Sequence, residues 1–468
     1  MIFKQVVFRY LTAQTITGLV PLILLPFYTH KFSAQQYGAY ALALLITSVF
    51  SGIGNLGLAT IFERNVHEYK LKSERIVYLF NIVSLFSLVL FLLWWLSYLT
   101  LEHLLAFIRI ELSKSFVLIA MAAMFTKSIQ DYFLLFFKQN KETKQFIQLK
   151  FVESFGSNAF IIILILVFNQ NIEALFYGVL FSSVLNILWA LFSLINALEE
   201  TPYWRMDLRP SLKLSIPLTP RIFFGVINTK FDKYLLGLLG TMGGVGVYEI
   251  AQRIANVTFL FQTSLENVFG PSTYEKLFNS KATNREELAN YLTPFFYVTT
   301  GFALLLCLLS QELFLLFFPV EYHHGIDVTI LLSTLYALYF FGKIPQLLYA
   351  KKTYMITVIT LINIVLNVGL NLYLIPKYGL FGAAFATLLA GGSTGILSFY
   401  FSQKYAPIQW NYNLLLALLT YFFIAIFLLI YLREIGVEYV YFIPLKLLLS
   451  IGYLILGKLF KIKMNLNF

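Results

Sequence analysis

Long apolar runs, separated by short polar segments, cover almost the whole of this sequence. A helix needs about 20 apolar residues to cross a bilayer, and on that basis the pattern predicts about fourteen membrane-spanning helices. None of the polar segments between them is long enough to form a soluble domain. The predicted spans are residues 6–29, 38–62, 76–99, 115–137, 151–168, 174–198, 213–239, 245–270, 289–310, 326–350, 354–375, 379–402, 413–432 and 439–459.

Composition agrees with an all-α, polytopic membrane protein. Of the 468 residues, 59% are hydrophobic and only 12% are charged, whereas average soluble domains carry about 25% charged residues. The formal net charge is +11, but the basic residues are spread over short loops, so nucleic acid is not an expected partner. The single cysteine, Cys307, lies in an apolar run and can form no disulfide within the chain.

The distribution of Lys and Arg predicts the orientation of these spans. If the N-terminus is cytoplasmic, most of the 34 Lys and Arg residues fall in segments on the cytoplasmic side, as the positive-inside rule requires. The sequence therefore predicts that both termini are cytoplasmic. The first apolar run follows Lys4 and Arg9 and has no small-residue cleavage site after it, so we interpret it as the first span and not as a signal peptide.

A weak internal repeat divides the predicted helices into two lobes. The second span begins with YGAYALA and the eighth with VGVYEIA, which share Gly, Tyr and Ala at the same spacing. A shift of six helices preserves orientation, so this would be a parallel repeat about an axis along the membrane normal. The predicted organisation is an N-terminal lobe at residues 1–200, a C-terminal lobe at 201–405, and two further helices with a cytoplasmic tail at 406–468.

Charged residues inside the seventh predicted span indicate a candidate functional region. One charged side chain at the centre of a spanning helix costs roughly 2.5–3.5 kcal/mol, so a chain that keeps several is expected to use them. Arg221, Asn228 and Asp232 share one face of this span. Lys230 and Lys233 lie nearer its outer end and are also consistent with snorkelling to the membrane surface.

Two further spans carry opposite charges four residues apart. The eighth span has Glu249 and Arg253, with Asn256 on the same stripe, and the fourth span has Lys127 and Asp131. Residues at this spacing are neighbours on a helix and neutralise each other. Each pair is therefore interpreted either as a structural ion pair or as part of a charged cavity wall.

No motif in the sequence indicates an enzyme. There is no His, Cys and Asp cluster at metal-ligand spacing, no nucleophile elbow and no glycine-rich phosphate loop after a strand. We therefore expect no catalytic activity, no metal and no cofactor. A polar stripe on the sixth span, which includes Asn186, suits either interhelical hydrogen bonding or a functional polar face.

Several segments carry a resemblance to a known family. SIPLTPRIFF, FDKYLLGLLG and VGVYEIAQRI resemble the seventh and eighth helices of bacterial polysaccharide-repeat-unit flippases, in the multidrug/oligosaccharidyl-lipid/polysaccharide exporter superfamily. NIVLNVGLNLYLIPKYGLFGAAFATLLA and YGAYALALLITSVFSGIGNLGL are similar to the eleventh and twelfth helices and to the second. At Asp232–Lys233 the family usually has an acid followed by arginine. Lys233 keeps the positive charge but cannot donate the two parallel hydrogen bonds that an arginine guanidinium makes.

This resemblance implies two six-helix lobes around a central cavity and alternating access. The implied activity is transfer of an undecaprenyl-diphosphate-linked oligosaccharide to the outer leaflet of the bacterial inner membrane, for O-antigen or capsule synthesis. The implied partners are this substrate, membrane lipids, a polymerase and other polysaccharide-assembly proteins. Three alternatives stay open: a superfamily exporter of peptidoglycan precursor or of drugs by cation antiport, a membrane polymerase or glycosyltransferase of the same pathway, and a structural scaffold.

The resemblance also suggests roles for the polar residues inside the spans. A diphosphate headgroup with sugars needs cationic partners and amide partners while it crosses the hydrocarbon layer. The candidate diphosphate partners are Lys127, Arg221, Arg253 and Lys230, and the candidate sugar partners are Asn186, Asn228 and Asn256. Asp131, Asp232 and Glu249 are candidates either for proton or sodium coupling or for structural pairing.

Overall fold

The structure is a computed structural model, described for residues 17–195, 207–279, 285–460 and 462. Every regular element within these ranges is helical, which confirms the predicted all-α class. Ten of the described helices are long and apolar enough to cross a membrane. The predicted count of fourteen spans stays a prediction. The first predicted span lies partly outside the described residues, and the charged helices at 219–239 and 242–279 are not among the ten.

The helices follow the predicted spans closely, and the chain between them is short. In the first half they are α1 (Leu25–Lys31), α2 (Ala34–Gly54), α3 (Leu58–Asn65), α4 (Lys72–Phe107), α5 (Lys114–Gln139), α6 (Thr143–Phe151), α7 (Ser157–Leu166), α8 (Ala174–Ile195), α9 (Arg209–Ser215) and α10 (Thr219–Leu239). In the second half they are α11 (Met242–Asn279), α12 (Arg285–Phe317), α13 (Gly325–Leu338), α14 (Phe340–Lys343), α15 (Gln346–Tyr349), α16 (Thr353–Tyr405), α17 (Tyr412–Glu434) and α18 (Tyr439–Leu459).

The chain forms two compact units, residues 1–238 and 239–468. A buried polar contact shows why α9 groups with the first unit. The amide of Asn65 donates to Ser211 Oγ at 3.2 Å, and the hydroxyls of Tyr78 and Ser211 lie 2.9 Å apart. These contacts place α9 in the first compact unit, and the lobe boundary predicted at residue 200 stays a prediction. The repeat itself stays a prediction.

A π-helical turn interrupts the second helix of a hairpin in the first unit. Helices α5 and α6 pack against each other on either side of a short loop. The chain then passes through the π-turn Val152–Gly156 into α7. Such turns insert one residue into an α-helix and are frequent at functional sites. Asn186 on α8 donates to the carbonyl of Leu149, just before this turn, at 3.1 Å.

In the second unit, α16 is two helices joined at a kink. Pro376 lies inside it, and Gly379 has φ 52° and ψ −126°, outside the helical region. The break predicted between residues 375 and 379 is therefore present. Asn363 donates to Thr394 Oγ1 at 2.6 Å across the kink, which shows that the two halves fold back on each other.

Helices α17 and α18 both pack against α12. The rings of Tyr297 and Tyr453 stack with centroids 4.9 Å apart, and Lys446 on α18 binds Glu312 on α12. In the described structure, the two helices that follow the predicted C-terminal lobe are therefore part of the second compact unit.

Candidate functional site

Four charged side chains join α5 to the helix that contains the π-turn. The ammonium group of Lys127 contacts one carboxylate oxygen of Glu153 and lies 3.7 Å from Asp131 Oδ1. Lys150 donates to the other oxygen of Glu153 at 2.8 Å. We call these four residues the Lys127 cluster. The cluster has no formal net charge, because it contains two lysines and two carboxylates. Each carboxylate oxygen of Glu153 accepts a hydrogen bond from one of the lysines.

The Lys127 cluster is partly buried and accessible from one side. Side-chain exposure is 28% for Lys127, 27% for Lys150 and 19% for Glu153, but 53% for Asp131. The sequence predicted the Lys127–Asp131 pair, and the structure adds Glu153 as the nearer partner of Lys127. Lys150, which lies just before the predicted span 151–168, is part of α6 and of the cluster.

Hydroxyl and amide groups lie on the neighbouring face of α5, where it packs against α2. The hydroxyls of Ser51 on α2 and Ser128 on α5 lie 2.8 Å apart, and Asn55 donates to the Tyr132 hydroxyl at 3.2 Å. Ser128 follows Lys127 directly in sequence, and Tyr132 follows one turn later. Two lysines with neutral donors and acceptors nearby are chemically suited to an anion that carries hydroxyl groups, once a carboxylate of the cluster gives way.

Three charged residues of α10, Lys230, Asp232 and Lys233, have side chains that the structure describes. Lys230 donates to Ser48 Oγ on α2 at 2.6 Å. Asp232 and Lys233 are both buried, and Asp232 Oδ1 accepts from the backbone N–H of Lys233 at 2.8 Å. Lys230 therefore contacts a neighbouring helix, and Lys233 is enclosed by protein. Snorkelling of these two lysines to the membrane surface stays an interpretation from the sequence.

In the second unit, α11 carries the predicted Glu249–Arg253 pair. Arg253 Nε donates to Glu249 Oε1 at 2.8 Å, which confirms that the two side chains pair along the helix. Glu249 is buried, whereas Arg253 and Asn256 are half-buried. The face therefore keeps a partly accessible guanidinium and an amide one turn apart. Such groups bind phosphate and sugar hydroxyls respectively.

Of the remaining predicted site residues, the structure describes the side chain of Asn186 but not those of Arg221 and Asn228. Asn186 is buried, and its amide is engaged with the Leu149 carbonyl. The side chains of Arg221 and Asn228 lie outside the described residues. Across the described ranges, no three His, Cys, Asp or Glu side chains come together in a way that would hold a metal ion.

An apolar groove runs along the second unit between α13, α16 and α17. Its volume is about 790 Å³, and its lining includes Leu338, Phe385, Ile396 and Phe423. Glycine at position 392 forms part of its floor. The groove offers hydrocarbon contacts and hardly any hydrogen bonds, so it is suited to a lipid chain.

Comparison with solved structures defines the class. The structure is similar to the inward closed conformation of the lipid II flippase MurJ, with a TM-score of 0.71 and 21% identity, over 96% of this chain and 98% of that one. It is also similar to an outward-facing multidrug resistance MATE family transporter of the MOP superfamily, with a TM-score of 0.58, 14% identity and coverage of 86% and 95%. A Vibrio cholerae MATE transporter, VcmN, matches with a TM-score of 0.56 and 16% identity, over 86% and 96%. The fold is therefore that of polytopic helical transporters.

Comparison of sequences gives the family. The model of the family described as "Polysaccharide biosynthesis protein" matches residues 3–265, more than half of the chain. The chain belongs to this family, which confirms the predicted resemblance. A curated relative, the probable low-salt glycan biosynthesis flippase Agl15 of Haloferax volcanii, is 24% identical over 246 residues. That alignment covers 52% of this chain and 51% of the relative, so it spans about half the length of each protein.

Proposed function

We propose that this protein is a flippase for a lipid-linked oligosaccharide. Its substrate would be an undecaprenyl-diphosphate-linked repeat unit, moved by alternating access from the cytoplasmic to the outer leaflet during O-antigen or capsule synthesis. The observation that carries the proposal is the presence of partly accessible cations, Lys127 and Arg253, within helices of the family-matched region. The flippase names of the archaeal relative and of the MurJ structure support it.

The chemistry of such a substrate matches these residues. A diphosphate headgroup with sugars must cross about 30 Å of hydrocarbon, where cations and hydrogen-bonding groups must replace its hydration. In the proposal, Lys127, Lys230 and Arg221 of the first unit and Arg253 of the second unit are each a candidate partner of the diphosphate. Asn228 and Asn256 bind sugar hydroxyls, and so would Asn186 once it releases the Leu149 carbonyl.

The lipid chain of the substrate has different requirements. A polyprenyl chain is apolar along its whole length and gains nothing from the charged residues. In the proposal it stays in the bilayer or in the apolar groove of about 790 Å³ beside α17. Headgroup and chain would then use separate surfaces of the protein.

Coupling to an ion gradient is a separate part of the proposal. Asp131, Asp232 and Glu249 are carboxylates that could exchange a proton or sodium during the transport cycle. Transfer rates measured across an imposed pH gradient and an imposed sodium gradient test it. Rates that respond to neither gradient would exclude coupling and would leave these carboxylates a pairing role only.

The activity can be tested with the purified full chain in liposomes. Fluorescent lipid-linked oligosaccharide is incorporated, and its transfer is followed by quenching with a reagent that does not cross the membrane. We expect Lys127→Gln and Arg253→Gln to slow transfer about tenfold or more, because a hydrogen bond to a charged group is worth about 1.5–3 kcal/mol. Arg209→Gln, at an arginine whose side chain is 93% exposed, is the matched control. Wild-type transfer no faster than in protein-free liposomes would contradict the proposal.

The fold match favours one second candidate. The similarity to a lipid II flippase extends over 96% of this chain, and lipid II also joins a glycan to a polyprenyl diphosphate. A competition experiment separates the two candidates. If excess lipid II blocks transfer of the labelled oligosaccharide, the peptidoglycan precursor is favoured as the substrate. If our first proposal is correct, excess unlabelled oligosaccharide should block this transfer and excess lipid II should not.

A further inference from the structure

Two lysines of the first unit converge on one carboxylate. Lys127 reaches one oxygen of Glu153 from α5, and Lys150 reaches the other from α6. We propose that Lys127 and Lys150 form a diphosphate-binding site, that Glu153 occupies this site in the present structure, and that an anionic headgroup displaces the Glu153 carboxylate on binding. The inference rests on the proposed function, because it names how one part of that site receives the headgroup.

The geometry of the two lysines is that of a site for a bridging anion. Their ammonium groups lie on opposite sides of a carboxylate, each on its own oxygen, with Lys150 at 2.8 Å. A diphosphate also presents several anionic oxygens to separate cations. Lysine suits this exchange because its ammonium acts as a point charge with rotatable donors and makes no fixed bidentate contact.

The lysines also lie at successive depths. At a rise of 1.5 Å per residue, Lys127 is about 18 Å from the end of α5 at the hairpin loop, and Lys150 is about 10 Å from the same loop along α6. This loop lies on the side that the sequence predicts to be cytoplasmic. A headgroup that enters from that side would meet Lys150 first and Lys127 near the middle of the membrane.

The position of Glu153 makes its displacement feasible. It lies in the π-turn Val152–Gly156, where regular α-helical hydrogen bonding is interrupted. A change of this turn to α-helical geometry would shift the helix before the turn by about one residue, or roughly 100°, relative to the helix after it, and Glu153 lies within the part that rearranges. Lys127 would keep Asp131, 3.7 Å away, so the cluster has a second carboxylate that holds the lysine while Glu153 is replaced.

Binding of farnesyl diphosphate to the full chain in nanodiscs tests this site. We expect Glu153→Gln to tighten binding about tenfold, because the neutral amide no longer competes with the diphosphate for the two lysines; this gain equals that of freeing a site that is otherwise open in about a tenth of the molecules. Lys127→Gln and Lys150→Gln should each weaken binding about tenfold or more, because each removes a charge-assisted hydrogen bond to the anion. Lys144→Gln, at an exposed lysine of the same helix, is the matched control and should leave binding unchanged.

A second variant keeps the test valid if Glu153→Gln does not fold. Glu153→Asp retains the charge but withdraws the carboxylate by one methylene, and it should also tighten binding. Unchanged or weaker binding in whichever of the two variants folds would overturn the inference. Inorganic pyrophosphate is the second probe, and tighter binding of pyrophosphate than of farnesyl diphosphate would assign the site to a free anion and overturn the headgroup assignment.

Transfer measured on the same preparations separates this inference from the proposed function. If the wild type transfers lipid-linked oligosaccharide but neither Glu153 variant binds farnesyl diphosphate more tightly, the inference is wrong and the function stands. If Glu153→Gln binds more tightly but the wild type transfers no oligosaccharide, the site stands and the proposed function is wrong.

Discussion

The ion pair between α12 and α18 allows a quantitative test of how the second unit is held together. Lys446 donates to both carboxylate oxygens of Glu312, at 2.7 and 2.9 Å, and to Gln311 at 3.3 Å. Its side chain is 10% exposed, and that of Glu312 is 21% exposed. Breaking a fully buried pair costs about 3–5 kcal/mol, because one charge is left uncompensated. Since Glu312 keeps the Tyr439 hydroxyl at 3.0 Å and some exposure, we expect Lys446→Met to cost about 2–4 kcal/mol.

The double variant distinguishes the destabilisation caused by leaving one charge unpaired from the net contribution of the whole ion pair to the free energy of unfolding. Lys446→Met combined with Glu312→Gln removes both charges, and replacing a whole buried pair is often neutral or stabilising. We therefore expect its stability to return to within about 1 kcal/mol of the wild type. Equilibrium unfolding in mixed micelles, followed by tryptophan fluorescence, gives the free energies. Lys458→Met, at an exposed lysine of the same helix, is the control. A double variant as unstable as Lys446→Met would refute the reasoning.

Three further predictions concern stability and transport. Gly57→Ala should be more destabilising in thermal unfolding than Gly436→Ala. Both glycines have a positive φ, 73° for Gly57 and 75° for Gly436. A Cβ at Gly57 would also clash with the Ser215 carbonyl, whereas a Cβ at Gly436 would meet open space. Ser211→Ala should cost about 1–3 kcal/mol in the same measurement, because its two buried polar neighbours lose their shared partner; a loss no larger than that of an exposed serine variant would contradict this. Gly392→Phe should fill part of the apolar groove and slow transfer of a long-chain substrate more than that of a short-chain analogue, and equal slowing would argue against a chain in the groove.

The sequence predicts the helices well because the membrane imposes a simple rule. A spanning helix needs a long apolar run, and such runs are visible without any knowledge of tertiary contacts. The break in α16 falls between the predicted spans 354–375 and 379–402, and Pro376 and Gly379 lie there because proline removes a donor and glycine accepts positive φ. The packing of α9 on α3 was not predictable, because Ser211 and Asn65 are 146 residues apart and neither carries a local signal for the contact.

In the candidate site too, contacts within one helix were predictable from the sequence, whereas contacts between helices were not. The Glu249–Arg253 and Lys127–Asp131 pairs follow from helical periodicity alone. The nearer partner of Lys127 is Glu153, 26 residues away on another helix, and a π-turn at that point shifts the regular register. The i,i+3 spacing of Lys150 and Glu153 was the one local signal for this part of the site.

The described structure distinguishes two uses of paired charge in apolar helices. A lone charge at membrane depth is costly, so pairing is expected in both cases. Lys446 takes both oxygens of Glu312 at once and is almost completely enclosed, so no other anion can reach it without separating two helices. Glu153 instead divides its oxygens between two lysines that are each more than a quarter exposed. An incoming phosphate can approach either lysine while the other still holds the carboxylate, so the exchange needs no step in which a charge is left alone. This stepwise exchange is why we assign substrate binding to the Lys127 cluster and a structural role to the pair on α18.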